Sequence, residues 1–271
     1  MRVRLTALLA IVLLMILAAP AAADGHVGLV TVVHGVPGLT VDVYVNGDLT
    51  LEDFAPGTVT DPLELPAGTY DVEIYPADAD PQAEDPAIAG SADLAAGANV
   101  SLVAHLDASG SPTLSVFAND TSTLDAGEAR VTVRHTAAAP AVDILANGEA
   151  VFTGVENGDE GVADLAAGTV SAAVALAGTT DPVLGPADVD LAEGVNTIIY
   201  AIGSAEEGTL DLLVQTISGL HGDPDGVESG TGGIKAAEQQ RAALLPWFAA
   251  LAAIGLAGAG LGVRRASLSR H

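Results

Sequence analysis

The sequence VTVVHGVPGLTVDVYVNG at residues 30–47 decides the fold, because the chain contains it twice. Residues 131–148 read VTVRHTAAAPAVDILANG, so matching positions are 101 residues apart. A period of about 100 residues is too long for a solenoid repeat and is typical of a duplicated small domain. The repeated positions include two histidines, two aspartates and two Asn-Gly dipeptides: His34 and His135, Asp42 and Asp143, Asn46-Gly47 and Asn147-Gly148.

Both repeats have the pattern of short β-strands. Residues 27–33 are rich in β-branched side chains, and residues 41–45 alternate so that the valines share one face, with Asp42 and Tyr44 on the other. Asn46-Gly47 and Asn147-Gly148 are the dipeptides preferred in two-residue hairpin turns, where both central residues need positive φ. Further strands are predicted at residues 48–54, 59–65, 70–75, 98–106, 113–117, 197–201 and 209–217.

About seven short strands per repeat, with no sustained helical period, predict an all-β protein. We expect two tandem immunoglobulin-like or transthyretin-like β-sandwich domains, with an N-terminal signal peptide and one C-terminal transmembrane helix. The predicted segments are a signal peptide (1–23), the first sandwich (24–118), a linker (119–129), the second sandwich (130–218), a flexible acidic and Gly-rich stalk (219–241), a transmembrane helix (242–263) and a cytoplasmic basic tail (264–271).

The two ends of the chain predict its cellular location. Arg2 and Arg4 precede an apolar run at residues 5–17, and the small residues 21–23 favour signal cleavage after Ala23; an uncleaved anchor is the alternative. Residues 242–263 carry no charge, are long enough to cross a bilayer and are followed by arginines, which indicates a cytoplasmic C-terminus. We expect a single-pass cell-membrane protein with its N-terminal domains outside.

The charge is strongly one-sided. All 35 acidic residues lie in residues 24–238, and residues 24–241 contain only four basic residues: Arg130, Arg134, Lys235 and Arg241. Such a surface repels nucleic acid, so DNA or RNA binding is excluded as an expected function. The acidity either keeps the protein soluble, as in a saline habitat, or attracts cations and basic partners. The chain has no cysteine, which excludes disulfides and thiolate metal sites.

A family resemblance rests on two motifs of the first repeat. Val33-His34, Pro37 and residues 41–47 are followed by LPAGTY at residues 65–70, and together they resemble the bacterial domain of unknown function 4397. The resemblance covers roughly residues 27–117 and 130–217. It implies an exported domain that often occurs in tandem copies and has no established activity. The Ala/Gly-rich composition is similar to that of high-GC actinobacteria, so we expect an actinobacterial cell surface.

The repeated His–Asp spacing is the candidate site. His34 and Asp42, like His135 and Asp143, are eight residues apart and could meet across neighbouring strands. One interpretation is a pH-sensitive or metal-binding pair. The other is a structural hydrogen bond that fixes the intervening loop, and no third ligand recurs in both copies to favour a metal. His105 has no counterpart, since Ile202 takes its place.

No catalytic motif is present in the sequence: it lacks a GxSxG elbow, an HExxH motif, a phosphate-binding Gly loop and cysteine. We therefore expect no enzyme activity and no cofactor. The most that we expect of the acidic loops is weak Ca²⁺ binding. The sequence predicts a non-catalytic binding or adhesion module for an extracellular protein or glycan, of unknown oligomeric state. The alternative is a passive envelope spacer, and an enzyme is the third hypothesis.

Overall fold

The computed structural model describes residues 27–221. These residues belong to one compact unit, which ends at Gly222. The predicted signal peptide with its cleavage after Ala23, most of the stalk, the predicted transmembrane helix and the basic tail lie outside the described residues. Within residues 27–221 no helix that could span a membrane is found.

The described residues form sixteen strands and no helix. The first eight are β1 (Val27–His34), β2 (Val41–Val45), β3 (Asp48–Phe54), β4 (Leu63–Pro66), β5 (Gly68–Pro76), β6 (Ile88–Leu94), β7 (Asn99–Leu106) and β8 (Pro112–Ala118). The second eight are β9 (Glu128–His135), β10 (Val142–Ala146), β11 (Glu149–Val155), β12 (Glu160–Ala166), β13 (Gly168–Leu176), β14 (Pro182–Leu191), β15 (Val195–Ile202) and β16 (Asp211–Ser218).

The strands form four sheets in two sandwich-like pairs with the same order. In the first sandwich, the sheet β4-β1-β7-β8 faces the sheet β3-β2-β5-β6; in the second, β12-β9-β15-β16 faces β11-β10-β13-β14. The first and seventh strands of each repeat, β1 with β7 and β9 with β15, pair in parallel. The all-β prediction and the two sandwich-like units are therefore confirmed.

Each sandwich has eight strands rather than the predicted seven. β6 and its counterpart β14 were missed because they are rich in Gly, Ala, Asp and Pro, residues that are depleted in strands. The predicted strand at 59–65 was also placed too early: β4 begins at Leu63, and Val59 forms only an isolated bridge with Val33.

The Asn-Gly dipeptides lie between β2 and β3 and between β10 and β11. Asn46 and Gly47 have φ of +52° and +83°, and Asn147 and Gly148 have +52° and +84°. Positive φ at both central residues is what a type I′ turn requires. The Asn46 side chain also accepts a hydrogen bond from the backbone N–H of Asp71, which ties the turn to β5.

The core of the first sandwich is made of aliphatic side chains from both of its sheets. Valines alternate inward from β1 and β2, and Val72 and Ile74 project from the central strand β5. Phe54 is the only buried phenylalanine in this cluster. Aliphatic packing therefore stabilises the core, as the scarcity of aromatic residues in the sequence requires.

The two sandwiches contact each other through the sheets that contain β1 and β9. Val33, Val103 and Phe117 of the first sandwich pack against Ile198, Tyr200 and Ile202 of the second. Apolar contact of this kind is favourable and non-directional. Polar side chains within the same interface fix how the two sheets meet.

Arg134 is the centre of that polar contact. Its side chain is fully buried, and its guanidinium lies 4.5 Å from the centre of the Phe117 ring. It donates hydrogen bonds to Glu160 at 2.8 Å, to the Tyr200 hydroxyl at 2.9 Å and to Asn119 Oδ1 at 2.8 Å. Because Phe117 belongs to β8 and Asn119 directly follows that strand, the Arg134 guanidinium joins both repeats.

The hydrogen bonds continue through Gln215. Its Oε1 accepts from the Tyr200 hydroxyl at 2.6 Å and from the Ser101 hydroxyl at 2.9 Å, and its Nε2 donates to Thr31 Oγ1 at 3.2 Å. Within residues 27–221 every buried side-chain nitrogen and oxygen has a hydrogen-bond partner. A fully satisfied buried network specifies one arrangement of the surfaces that it joins.

This interface predicts that the two sandwiches unfold together. Arg134→Ala leaves the Tyr200 hydroxyl and the Asn119 side chain with fewer partners in a dry interface, so we expect the free energy of unfolding to fall by about 3 kcal/mol. Chemical denaturation should show one transition for the native chain. The control is Thr69→Ala, which removes an exposed hydrogen bond to Asp93. Two separate native transitions, or equal effects of the two variants, would contradict the prediction.

Candidate functional site: an apolar cleft in the second sandwich

His34 and His135 each bind the loop that follows their own strand. His34 Nε2 donates to the Leu39 carbonyl at 2.8 Å, and His135 Nε2 donates to the Pro140 carbonyl at 3.0 Å. With Nε2 as the donor, Nδ1 is the acceptor that faces a backbone N–H two residues ahead, at 3.4 Å in both repeats. Both rings are almost fully buried. This geometry uses the neutral form of histidine.

Asp42 and Asp143 bind backbone on the neighbouring strand instead of the histidines. Asp42 accepts from the N–H of Asp53 at 2.8 Å, and Asp143 accepts from the N–H of Gly154 at 2.7 Å. Asp53 and Gly154 have φ of +51° and +63°, so each carboxylate holds a left-handed bulge in the adjoining strand. The structure therefore gives each member of the expected His–Asp pair its own backbone partner.

The other candidate residues are also held by structural contacts. His105 is buried, with Nδ1 at 2.9 Å from the Leu106 carbonyl and Nε2 at 2.8 Å from the Ser115 hydroxyl. Burial lowers the pKa of His105 and of His34 below the usual 6.5, because the charged ring loses its hydration. In the part of the chain that the structure describes, no group of three or more His, Asp or Glu side chains could hold a metal ion.

An apolar cleft lies between the two sheets of the second sandwich. It has a volume of about 250 Å³, against about 40 Å³ for the void between the sheets of the first sandwich. Its walls come from β9, β10, β13, β14, β15 and β16. Except for His135, the lining side chains are aliphatic, with alanines prominent among them. Both ring nitrogens of His135 already have backbone partners.

Smaller side chains at matching inward positions explain the cleft. Ala172 and Val174 on β13, which line the cleft, stand where the first sandwich has Val72 and Ile74 on β5. Each replacement removes methyl or methylene groups from the same end of the core. Close-packed interiors do not fully collapse around such losses, so space remains.

The edges of the sandwiches also differ. In the first, β6 packs against β8 so closely that a Cβ on Gly90 would lie 3.1 Å from the Leu114 side chain. The matching residues of the second sandwich, Ala187 and Leu212, both line the cleft, and Leu212 is 39% exposed. The first sandwich is therefore closed along this edge, whereas the second is open.

The open edge exposes apolar side chains to solvent. Leu176, Val183, Leu210 and Leu212 line the cleft and are 38–54% exposed. An exposed apolar surface that continues into an apolar recess is typical of a ligand site. Sequence reasoning missed this cleft because periodicity marks these positions as core in both repeats. The signal was there in the loss of side-chain volume between aligned positions, such as Ala172 in place of Val72.

Two eight-stranded β-sandwiches, with a filled core in one and an open apolar cleft in the other, define an all-β protein of two sandwich-like units. Residues 28–145 match the sequence model of the domain of unknown function DUF4397. The match runs through the whole first sandwich and ends within β10. Comparison with curated proteins finds no match.

The buried histidines predict a stability that falls in mild acid. The folded protein keeps the pKa of His34 and His105 below 6.5, so as pH falls through about 6.5 the unfolded chain takes up protons that the folded chain resists. We expect the free energy of unfolding to decrease from about pH 7.5 to 5.5, above the range of most carboxylates.

The double variant His34→Gln/His105→Gln should flatten this dependence, while His221→Gln, which changes an exposed ring, should leave it intact. Denaturation midpoints at several pH values give the measurement. The pH slope decides the result, since the variants also change the absolute stability. An unchanged slope in the double variant would show that other groups carry the effect.

Proposed function

We propose that this protein is a single-pass cell-surface protein whose two sandwiches form a non-catalytic binding module outside the membrane. The open apolar cleft of the second sandwich is the observation that supports binding. A void of about 250 Å³ lowers stability relative to a filled core, and the first sandwich fills the matching space with larger side chains. A binding role explains why the second sandwich keeps it open.

The position of the cleft fits a tethered receptor. The described chain ends at His221, which lies beside Gly194 just before β15 begins. The cleft is lined by Ile199 and Ala201 near the far end of β15 and by the loop at Pro140. At about 3.3 Å per residue, the two ends of β15 are about 20 Å apart. The cleft and the end of the described chain therefore lie at opposite ends of β15.

The finer fold assignment and the duplication belong to the same proposal. We favour a transthyretin-like over an immunoglobulin-like sandwich, because two four-stranded sheets differ from the seven-stranded ABED and CFG arrangement of immunoglobulin constant domains. We also propose that the second sandwich is a second copy of the family domain. Its strand order and its His and Asp contacts repeat those of the first.

The chemistry of the cleft narrows the choice of ligand. Sugar recognition needs converging polar groups, and the lining offers aliphatic side chains together with a histidine whose ring nitrogens are engaged. An apolar small molecule therefore fits better than the glycan or protein expected from the sequence. The same lining supports a non-catalytic role, since it brings no acid, base or nucleophile to bear on a bound molecule. Weak Ca²⁺ binding by the acidic loops stays a proposal for the surface.

The alternative is a passive envelope spacer. The buried network around Arg134 favours it, because it joins the two sandwiches into a single block without needing a ligand. A spacer gains nothing from a cleft. An enzyme is the third hypothesis.

Ligand stabilisation separates the binding module from the spacer. A ligand that binds only the folded state raises the melting temperature in a saturable way, so 1-decanol should do so for the native full chain. The control is Ala172→Val/Val174→Ile, which installs the first sandwich's side chains; it should raise the unliganded stability by about 1 kcal/mol and respond less to decanol. Equal responses of the two chains, or none, would favour the spacer.

A second experiment tests the address. In a bacterial host that exports the chain, mass spectrometry should find Asp24 as the mature N-terminus and the protein in the membrane fraction. External protease should release fragments of the sandwiches from intact cells, since these domains are proposed to lie outside. Fragments recovered only after lysis, or a retained Met1, would contradict this assignment.

A further inference from the structure

We propose that the cleft holds the unbranched alkyl chain of an amphiphile whose head group carries a positive charge. This inference rests on the proposed binding function and goes further by naming the ligand class. Three features support it: the shape of the apolar lining, the acidic depression that adjoins the cleft, and the absence of a free basic side chain in residues 27–221.

The lining favours a chain over a compact ring system. It follows β13 from Ala172 to Leu176 and β14 from Val183 to Val189, and it lies between sheets that pack about 10 Å apart. The space is therefore long and narrow. Its volume of about 250 Å³ corresponds to about eight groups the size of a water molecule, at ~30 Å³ each. An alkyl chain of about eight to ten carbons fills such a slot.

The mouth of the cleft adjoins a shallow depression between the two repeats. Ala139, Pro140 and Ala205 line both features, so an alkyl chain in the cleft can place its head group in the depression. The depression also carries Glu156 and Glu206, which are both exposed. Two carboxylates beside an apolar slot are complementary to a cationic head group.

A negatively charged head group would find no complementary positive charge at the cleft. Arg130 and Arg134 are the only Lys or Arg residues between 27 and 221. Both are buried, and their guanidinium groups are already paired, Arg130 with Asp120 and Asp164 and Arg134 with Glu160. No basic side chain of the described residues is therefore available at the cleft for a carboxylate or phosphate. Fatty acids and anionic lipids are disfavoured by the surrounding acidic surface.

The test uses the full chain with a single reporter at the mouth of the cleft. The chain has no cysteine, so Val183→Cys can be labelled uniquely with a trifluoromethyl tag and observed by fluorine NMR. Val116→Cys gives a matched control on the first sandwich, since Val116 is also exposed but lies outside the cleft. The ligands are decylammonium, 1-decanol and decanoate, which share one chain length and differ in charge, all kept below their micelle-forming concentrations.

We expect a saturable shift at position 183 and none at position 116. Decylammonium should bind about three- to tenfold more tightly than decanol, the range that two exposed charge pairs give, and decanoate should bind more weakly than decanol. Shortening the chain should weaken binding about fourfold per methylene. Added salt should reduce the difference between decylammonium and decanol without affecting decanol.

Two charge variants locate the head group. Glu156→Gln/Glu206→Gln should remove most of the preference for decylammonium and leave decanol binding unchanged. Glu52→Gln/Glu64→Gln, which removes two exposed carboxylates from the first sandwich, should leave the preference in place. The same loss of preference in both variants would show a general field effect and overturn the assignment of the head group to the depression.

The outcomes separate this inference from the proposed function. If decanol binds but decanoate or a bulky ring alcohol such as adamantanol binds as tightly as decylammonium, the ligand class is wrong and the binding module stands. If none of the ligands shifts the tag at position 183 and decanol fails to stabilise the native chain, both proposals fail. A shift that persists in Ala172→Val/Val174→Ile would place the chain outside the cleft and overturn the inference.

Discussion

The structure depends on one buried cation. Arg134 has no exposed side-chain surface, and a buried charge is costly unless it is paired and fully hydrogen-bonded. Its partners come from both repeats: Glu160 and Tyr200 from the second, Asn119 and the Phe117 ring from the end of the first. The guanidinium therefore stabilises the interface only when both sandwiches are folded and in contact. Apolar side chains alone would let the two sheets slide against each other. The hydrogen bonds of Arg134 fix them in one register.

In each sandwich, the sheet that contains β1 or β9 faces the other sandwich instead of solvent. Ser101 and Thr31 point out of the first sandwich and Gln215 out of the second, and they satisfy one another in the interface. The sheets that contain β1 and β9 are consequently covered on both faces. Only the opposite sheet of each sandwich keeps one face towards solvent. The cleft lies along the sheet β11-β10-β13-β14 and the open edge of the second sandwich, where the interface constrains the side chains least.

The parts of the fold that could be predicted from the sequence are those set by local chemistry. Alternating valines and the Asn-Gly dipeptides indicated strands and hairpins, and the 101-residue offset indicated two sandwich-like units. β6 and β14 escaped because their residues have low β-propensity and are held by their neighbours β5 and β13. The sequence singled out the His and Asp positions, and in the structure each of them binds backbone groups. Their partners were not predictable, since Leu39, Asp53 and Gly154 contribute only backbone groups, which a sequence pattern does not mark.

The cleft could not be predicted from the sequence, for a different reason. A hydrophobic pattern specifies which face of a strand is buried, but packing depends on the summed volume of side chains that meet from several strands. Val72 and Ala172 both fit the apolar pattern, yet only Val72 fills its space together with Ile74. In the second sandwich Ala172 and Val174 are both smaller, and the two losses together leave an opening where a single one would be absorbed by relaxation. Two repeats with one hydrophobic pattern thus differ in shape through side-chain volume alone, and the comparison between them reveals the cleft.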